Sequence, residues 1–338
     1  MDGGRARAII ADLSRLPNPE AVDRQDNVRL GGIPQFVSIR GRDRRNPVLL
    51  VCHGGPAGPL APTAWMWQRG LEEYFTVVNY DQRASGRSVH LSDLHALGHD
   101  LTISHYVGDA IELIEWLQRE LHVEHVALFG HSWGTVIGLT LAQQHPELLS
   151  CYVGVGQVTS GRENERLSFD YGKRHATDDH NTAALAEMAT IEPYPGEQPI
   201  TLDRVVLARK WPQHYGGLSA YRDESGYYFG APDLSPLYTE EDVQALQAGS
   251  AFTVPKVMSQ MIEFDFTSVV ELGVPVIEFY GRHDWTTPTE PTQRWMQALS
   301  APSKAEVWFE HSGHMCMFEE PGKFLMSLVQ HALPHCQG

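Results

Sequence analysis

The segment Gly130-His131-Ser132-Trp133-Gly134 carries the most definite chemistry in this sequence. A serine hydroxyl is a weak nucleophile at neutral pH. It attacks a carbonyl only when a base takes its proton and fixed donors stabilise the charge that develops on oxygen. Glycines two residues to either side of a serine, between a buried strand and a helix, make a sharp turn that lifts the hydroxyl above the end of the strand. The surroundings are of that kind: the apolar run His125-Val126-Ala127-Leu128-Phe129 precedes the turn and a helical run from Thr135 to Gln144 follows it. Larger side chains at the flanking positions would collide in so tight a turn. Ser132 is the candidate nucleophile.

An imidazole, with an ordinary pKa near 6.5, suits the role of base. The chain has 17 histidines, and fold order selects among them. In a strand-turn-helix architecture of this type the acid follows the nucleophile and the base follows the last strand. His311 and His314 both come after the run ending at Phe309. His314, in the turn Ser312-Gly313-His314-Met315 ahead of a final helix, is preferred, with His311 kept as its competitor. Asp284 lies in the loop Gly281-Arg282-His283-Asp284 after Phe279-Tyr280, where its carboxylate would hold the imidazole tautomer. The expected oxyanion donors are backbone N–H groups of Trp133 and of Gly55, the latter in His53-Gly54-Gly55-Pro56 directly after an apolar run.

These loops need a scaffold. Continuous apolar runs at Pro47–Cys52, Phe75–Tyr80, His125–Phe129, Ser150–Val155, Val274–Tyr280 and Ala305–Phe309 read as strands buried on both faces. Between them, Ile103, Val107, Ala110, Ile114, Leu117 and Leu121 recur at helical spacing. The alternation predicts an α/β fold with a mostly parallel central sheet flanked by helices. The rhythm stops after Val155 and resumes near Val274. Residues 157–269 are therefore read as an inserted, mainly helical cap, and residues 1–156 with 270–338 as the catalytic domain.

Composition limits the partners. The chain has 338 residues and a formal net charge of -16, with no basic stripe, which argues against nucleic acid or an anionic membrane as a partner. No apolar run approaches the roughly 20 residues that span a bilayer, and Met1 to Asp12 lack the apolar core of a secretory leader, so a cytoplasmic location is expected. Cys52, Cys151, Cys316 and Cys336 are scattered, which fits reduced thiols and neither a metal site nor a disulfide framework. No cofactor is called for, because the oxyanion donors are backbone groups. The expected partner is a small-molecule or short-peptide substrate, and the oligomeric state stays open.

His53-Gly54-Gly55-Pro56-Ala57-Gly58, Asp81-Gln82-Arg83-Ala84-Ser85-Gly86-Arg87-Ser88 and Gly130-His131-Ser132-Trp133-Gly134 together resemble the proline iminopeptidase family of the α/β-hydrolase fold, and the loops carrying Asp284 and His314 agree. The resemblance implies a serine hydrolase that releases amino-terminal proline through an acyl-enzyme. The sequence departs from the family in three places. Ala57 is inserted before Gly58, Ala84 replaces a glycine, and no tryptophan-rich segment ending in glutamate is present to hold the substrate amine; Trp211 is followed by Pro212, Gln213 and His214.

Substrate class is accordingly open. An ammonium needs a buried carboxylate partner. Glu163, Glu165, Asp223, Glu224, Glu263 and Asp265 lie in the cap region and are candidates, as are Trp211, Tyr215 and Tyr228 for an apolar pocket. A carboxylesterase or lactonase acting on small apolar esters is the alternative. A non-hydrolytic ligand-binding homologue is the alternative of another class.

Overall fold

The computed structural model describes residues 3–95, 97, 101–197 and 200–337. Its strands are β1 (Val22–Leu30), β2 (Ile33–Gly41), β3 (Val48–Cys52), β4 (Thr76–Tyr80), β5 (Val126–His131), β6 (Leu149–Val155), β7 (Val276–Gly281) and β8 (Lys304–Phe309). They make an 8-stranded sheet in the order β1-β2-β4-β3-β5-β6-β7-β8. From β4 to β8 neighbouring strands are parallel, and β2 pairs antiparallel with both β1 and β4. Each apolar run expected to be a strand is one; β3 to β7 are covered on both faces, while β8, at the sheet edge, is half-exposed up to Phe309. Along β3, Val48, Leu50 and Cys52 enter the core on one face while Leu49 and Val51 enter the core on the other.

The helices are α1 (Gly3–Leu13), α2 (Ala64–Trp67), α3 (Ile103–Leu121), α4 (Trp133–Gln144), α5 (Gly161–Asp178), α6 (Thr182–Ala189), α7 (Leu202–His214), α8 (Gly226–Phe229), α9 (Glu240–Glu263), α10 (Thr289–Ala298), α11 (Cys316–Glu319) and α12 (Pro321–His331). α3 buries the stripe expected of it, including Val107, Ala110, Leu113, Ile114 and Leu117. Thr102 and His105 cap its first turn reciprocally, and His122, at φ 55°, ends it in the left-handed region. No described helix is long and apolar enough to cross a membrane.

The hairpin β1–β2 was not expected. β1 reads Val-Asp-Arg-Gln-Asp-Asn-Val-Arg-Leu and alternates between half-buried and exposed positions for most of its length, as an edge strand does. Its signal in the sequence is the pair Gly31-Gly32, both at positive φ, between Leu30 and Ile33, which pair across the turn.

Between β6 and β7 the described residues form α5 to α9 with no strand. This insertion has a small core of its own, Phe169, Met188, Ile191, Tyr194 and Ala208, with Trp211 packed against it. α9 lies across the loop that leaves β4: Thr253 Oγ1 donates to the Ala84 carbonyl at 3.4 Å, and a Cβ on Gly249 would stand 2.6 Å from that same oxygen.

The loop from Asp81 to Ser88 is pinned from several sides. Arg83 Nε donates to Asp109 Oδ2 at 2.6 Å, and Gln35 Nε2 reaches the same oxygen at 2.6 Å. Breaking such a buried pair by removing one partner costs about 3–5 kcal/mol, so Arg83 serves the loop and not the chemistry. Asp81 Oδ2 accepts from the Arg87 N–H at 2.7 Å and from the Tyr238 hydroxyl.

Two outcomes follow for this loop. Ala84 sits at φ 55°, a region that costs a residue with a Cβ about 1–2 kcal/mol. Ala84→Gly should therefore raise stability by about 0.5–1 kcal/mol after the greater chain entropy of glycine is counted, as read from urea midpoints. Burial pushes the Asp81 carboxyl up from 3.8 to about 7. Its folded form thus holds a proton that the unfolded form releases, and the stability this contributes is full below pH 3.8 and lost as pH rises through about 7. Asp81→Asn should gain stability relative to the parent as the pH of the melt is moved from 5 toward 8; equal differences at both ends would refute the assignment.

Candidate active site

Ser132 stands between β5 and α4 at φ 53° and ψ -119°. The turn closes because small residues let backbone meet backbone. A Cβ on Gly130 would lie 2.9 Å from the Gly134 carbonyl oxygen, and one on Gly134 would collide with the Cys52 carbonyl at the end of β3. Ser132 N–H donates to the Val155 carbonyl at 2.9 Å, and Thr135 donates to the Ser132 carbonyl through N–H at 2.8 Å and Oγ1 at 2.6 Å.

On the loop after β7, Asp284 is saturated with donors. Oδ1 accepts from the N–H groups of Thr286 at 2.9 Å and Thr287 at 2.8 Å, while Oδ2 accepts from Thr287 Oγ1 at 2.9 Å. His314 Nδ1 lies 2.8 Å from Asp284 Oδ2, and both side chains are buried. A carboxylate with that set of partners accepts, so Nδ1 carries the proton and the lone pair of Nε2 is left for a substrate-side proton. His311 lies elsewhere, at the surface, with its Nδ1 3.3 Å from the Tyr221 hydroxyl.

Ser132, His314, Gly55 and Tyr228 line one cavity of about 570 Å³. Among the described residues the Ser132 hydroxyl has no hydrogen-bond partner, and a nucleophile-base contact of this kind often tightens only when substrate arrives. Gly156 makes room for the imidazole: a Cβ there would lie 2.5 Å from His314 Cε1 and 2.7 Å from Nδ1. Two other histidines stay neutral beside it. Burial pushes His53 down to about 4 and His131 well below the usual imidazole range, the latter reinforced by the neighbouring His314 and His53. His131 Nε2 then donates to the His314 carbonyl at 3.1 Å.

Gln82 ties together the segments that bear the candidate oxyanion donors. Its N–H donates to His53 Nε2 at 3.1 Å and its Nε2 to the His53 carbonyl at 3.1 Å, while its Oε1 accepts from the Trp133 indole at 3.0 Å. Sequence reasoning used this loop only for the family resemblance and missed that Gln82 spans both. It also missed a clamp from the insertion. The Gly217 carbonyl accepts from Trp285 N–H at 2.9 Å and Thr286 N–H at 3.0 Å, and the Leu218 carbonyl accepts from His314 N–H at 2.9 Å. Glu319 closes the same junction, accepting from Gly313 N–H at 2.7 Å and Ala220 N–H at 2.9 Å.

The residues named for substrate contact separate. Tyr228 lines the cavity, with α9 supplying Val243, Leu246, Val254 and Met258 from one face. Trp211 packs in the small core of the insertion and donates to Glu187 at 3.1 Å, and Tyr215 accepts from Asn181 at 3.2 Å. Glu163 pairs with Arg294 at 2.5 Å near the surface, Glu263 pairs with Arg162 at 2.7 Å, and Asp265 caps the Thr267 N–H at 2.9 Å. Asp223 and Glu224 are exposed. Glu165 is buried against Arg209 and Tyr194, and Arg209 itself reaches the cavity wall. No carboxylate is among the described residues lining the cavity.

Known proteins place this arrangement. A probable aminopeptidase of Bacillus subtilis (strain 168) is 29% identical over 95% of this chain and 99% of its own length. A proline iminopeptidase of Heyndrickxia coagulans is 24% identical over 87% of this chain and 93% of its own. Among solved structures, the proline iminopeptidase of Mycobacterium smegmatis superposes with a TM-score of 0.64 at 19% identity, covering 93% of this chain and 98% of that one. The likeness carried by the loops therefore extends along the chain. Residues 47–321 match the α/β hydrolase fold, and the chain belongs to that family.

Proposed function

We propose that the protein is a serine hydrolase that cleaves a carboxylic ester or amide through an acyl-enzyme. The observation that carries the reading is the buried Asp284–His314 pair facing the same cavity as Ser132 at the tip of its turn. Ser132 Oγ attacks the substrate carbonyl carbon as its proton passes to His314 Nε2. The oxyanion is met by the N–H groups of Gly55 and Trp133. Collapse expels the leaving group, which takes the proton from His314. Water, deprotonated by the same imidazole, then attacks the acyl carbon and frees Ser132. Asp284 holds the tautomer throughout. The insertion over residues 157–269 is proposed as the cap that closes the substrate space.

The two substrate readings have different supports. The names of the relatives favour an aminopeptidase acting on amino-terminal proline. The cavity lining favours an ester or amide without a free amine, because no carboxylate among the lining residues meets an ammonium. The second is preferred, since charge matching at a buried site decides binding more strongly than likeness of the surrounding loops.

Short-chain p-nitrophenyl esters should be turned over, with proline p-nitroanilide much slower; the reverse order would restore the aminopeptidase reading. Ser132→Ala and His314→Ala should each lower kcat at least about a thousandfold, and a fluorophosphonate should label Ser132 in the parent protein. Gly156→Ala tests the seat of the imidazole. Its Cβ would displace His314, and kcat should fall on the order of a hundredfold with KM little altered. A Gly156→Ala enzyme of near-parental kcat would place the working base elsewhere.

A further inference from the structure

We propose that the cavity beside Ser132 selects substrates whose acyl group carries a carboxylate, with Arg209 and Asn164 as the residues that determine this specificity. Arg209, on α7, is the guanidinium in the cavity wall, and its side chain is 20% exposed. Nε and one terminal nitrogen are held by Glu165 Oε1, the former at 3.2 Å. The remaining terminal nitrogen has no hydrogen-bond partner among the described residues, so donors are left for a ligand. Both oxygens of Glu165 are engaged: the other accepts from the Tyr194 hydroxyl at 2.5 Å. Glu165 orients the guanidinium and does not line the main cavity.

Asn164 makes an independent case. It is 3% exposed, and neither its amide nitrogen nor its amide oxygen has a partner among the described residues. An unpaired buried amide costs about 1–3 kcal/mol, and an oxygen brought to it would satisfy its nitrogen. Asn164 lines a narrow crevice of about 10 Å³, room for about one water, together with Glu165, Arg209 and Thr286, and the last two also line the main cavity. A carboxylate on the main-cavity side would meet the free guanidinium donors directly and the Asn164 amide nitrogen through a water in the crevice, while the acyl chain lies along Leu246, Val254 and Met258 of α9. An amine in the same place would face a guanidinium.

This inference rests on the acyl-enzyme reading, so it is tested by binding as well as by turnover. The p-nitrophenyl esters of succinate, butyrate and 4-aminobutyrate have similar size and differ in terminal charge. Their kcat/KM values should fall in that order, with the succinate ester at least about tenfold above butyrate. Replacing Arg209 alone would leave Glu165 buried and unpaired, so the variant of choice is Arg209→Gln with Glu165→Gln, its fold checked by thermal melting. The succinate-to-butyrate ratio should collapse toward unity in that variant, and Asn164→Leu should lower the ratio as well. A purely structural role would depress both esters alike and leave the ratio intact, which would overturn the proposal. So would preference for the cationic ester.

Calorimetry on Ser132→Ala separates the two readings. Monomethyl succinate should bind more tightly than methyl butyrate or methyl 4-aminobutyrate. If that order is found while the parent hydrolyses none of the esters, the acyl-enzyme reading falls and the carboxylate site stands. If the three ligands bind alike, the carboxylate site falls whatever the parent hydrolyses.

Discussion

Everything in the site depends on how closely the start of α4 lies on the end of β3. With hydrogens alone at Gly130 and Gly134, the Cys52 carbonyl and the first helical turn come into contact, and Ser132 is left at φ 53°. A conformation of that kind costs about 1–3 kcal/mol and persists only where the surroundings over-determine it. Here they do, through the Val155 carbonyl on one side and both donors of Thr135 on the other. The same approach brings the turn against the loop that follows β3, where a Cβ on Gly54 would lie 3.0 Å from Ser132 Cβ. Gln82 braces the result by bonding to His53 and Trp133 together.

Burial then decides the charges around that frame. Desolvation holds His53 and His131 neutral, so neither places a cation beside the imidazole bonded to Asp284. In a site of low effective dielectric the fixed N–H donors act more strongly than they would in water. The formal charge of the cavity wall comes from Arg209, and its geometry is set from behind by Glu165 and Tyr194.

What could be read from the sequence was whatever local pattern encodes. Continuous apolar runs located the strands from β3 to β8, and the glycine-serine-glycine turn with its fold order pointed to Ser132, Asp284 and His314. The structure has Ser132 and His314 lining one cavity with Asp284 hydrogen-bonded to His314, and leaves His311 at the surface. β1 was not legible because an edge strand of charged residues carries little hydrophobic period, although Gly31-Gly32 marked its turn. Gln82 and the clamp of Gly217 and Leu218 on the two loops were illegible for a different reason. They are contacts between segments far apart in the chain, and no spacing announces them. The acids named for an amine fare likewise: Glu163 and Glu263 pair with Arg294 and Arg162, distant in the chain, and Asp265 with the nearby Thr267 N–H.

The departures from the proline iminopeptidase pattern divide by their physical consequence. Ala57 and Ala84 occupy left-handed positions at φ 59° and 55°, so these changes are felt as backbone strain. A missing carboxylate in the cavity is a different matter, because no backbone adjustment replaces a charge. The insertion couples the two, since the stretch from Gly217 to Ala220 holds the loops of Asp284 and His314 while α7 and α9 line the space above Ser132. A change of lining can therefore redirect the substrate without disturbing the reacting groups, provided that the clamp is kept. The loops that carry the resemblance speak for the reaction, and the wall that departs from it speaks for the substrate.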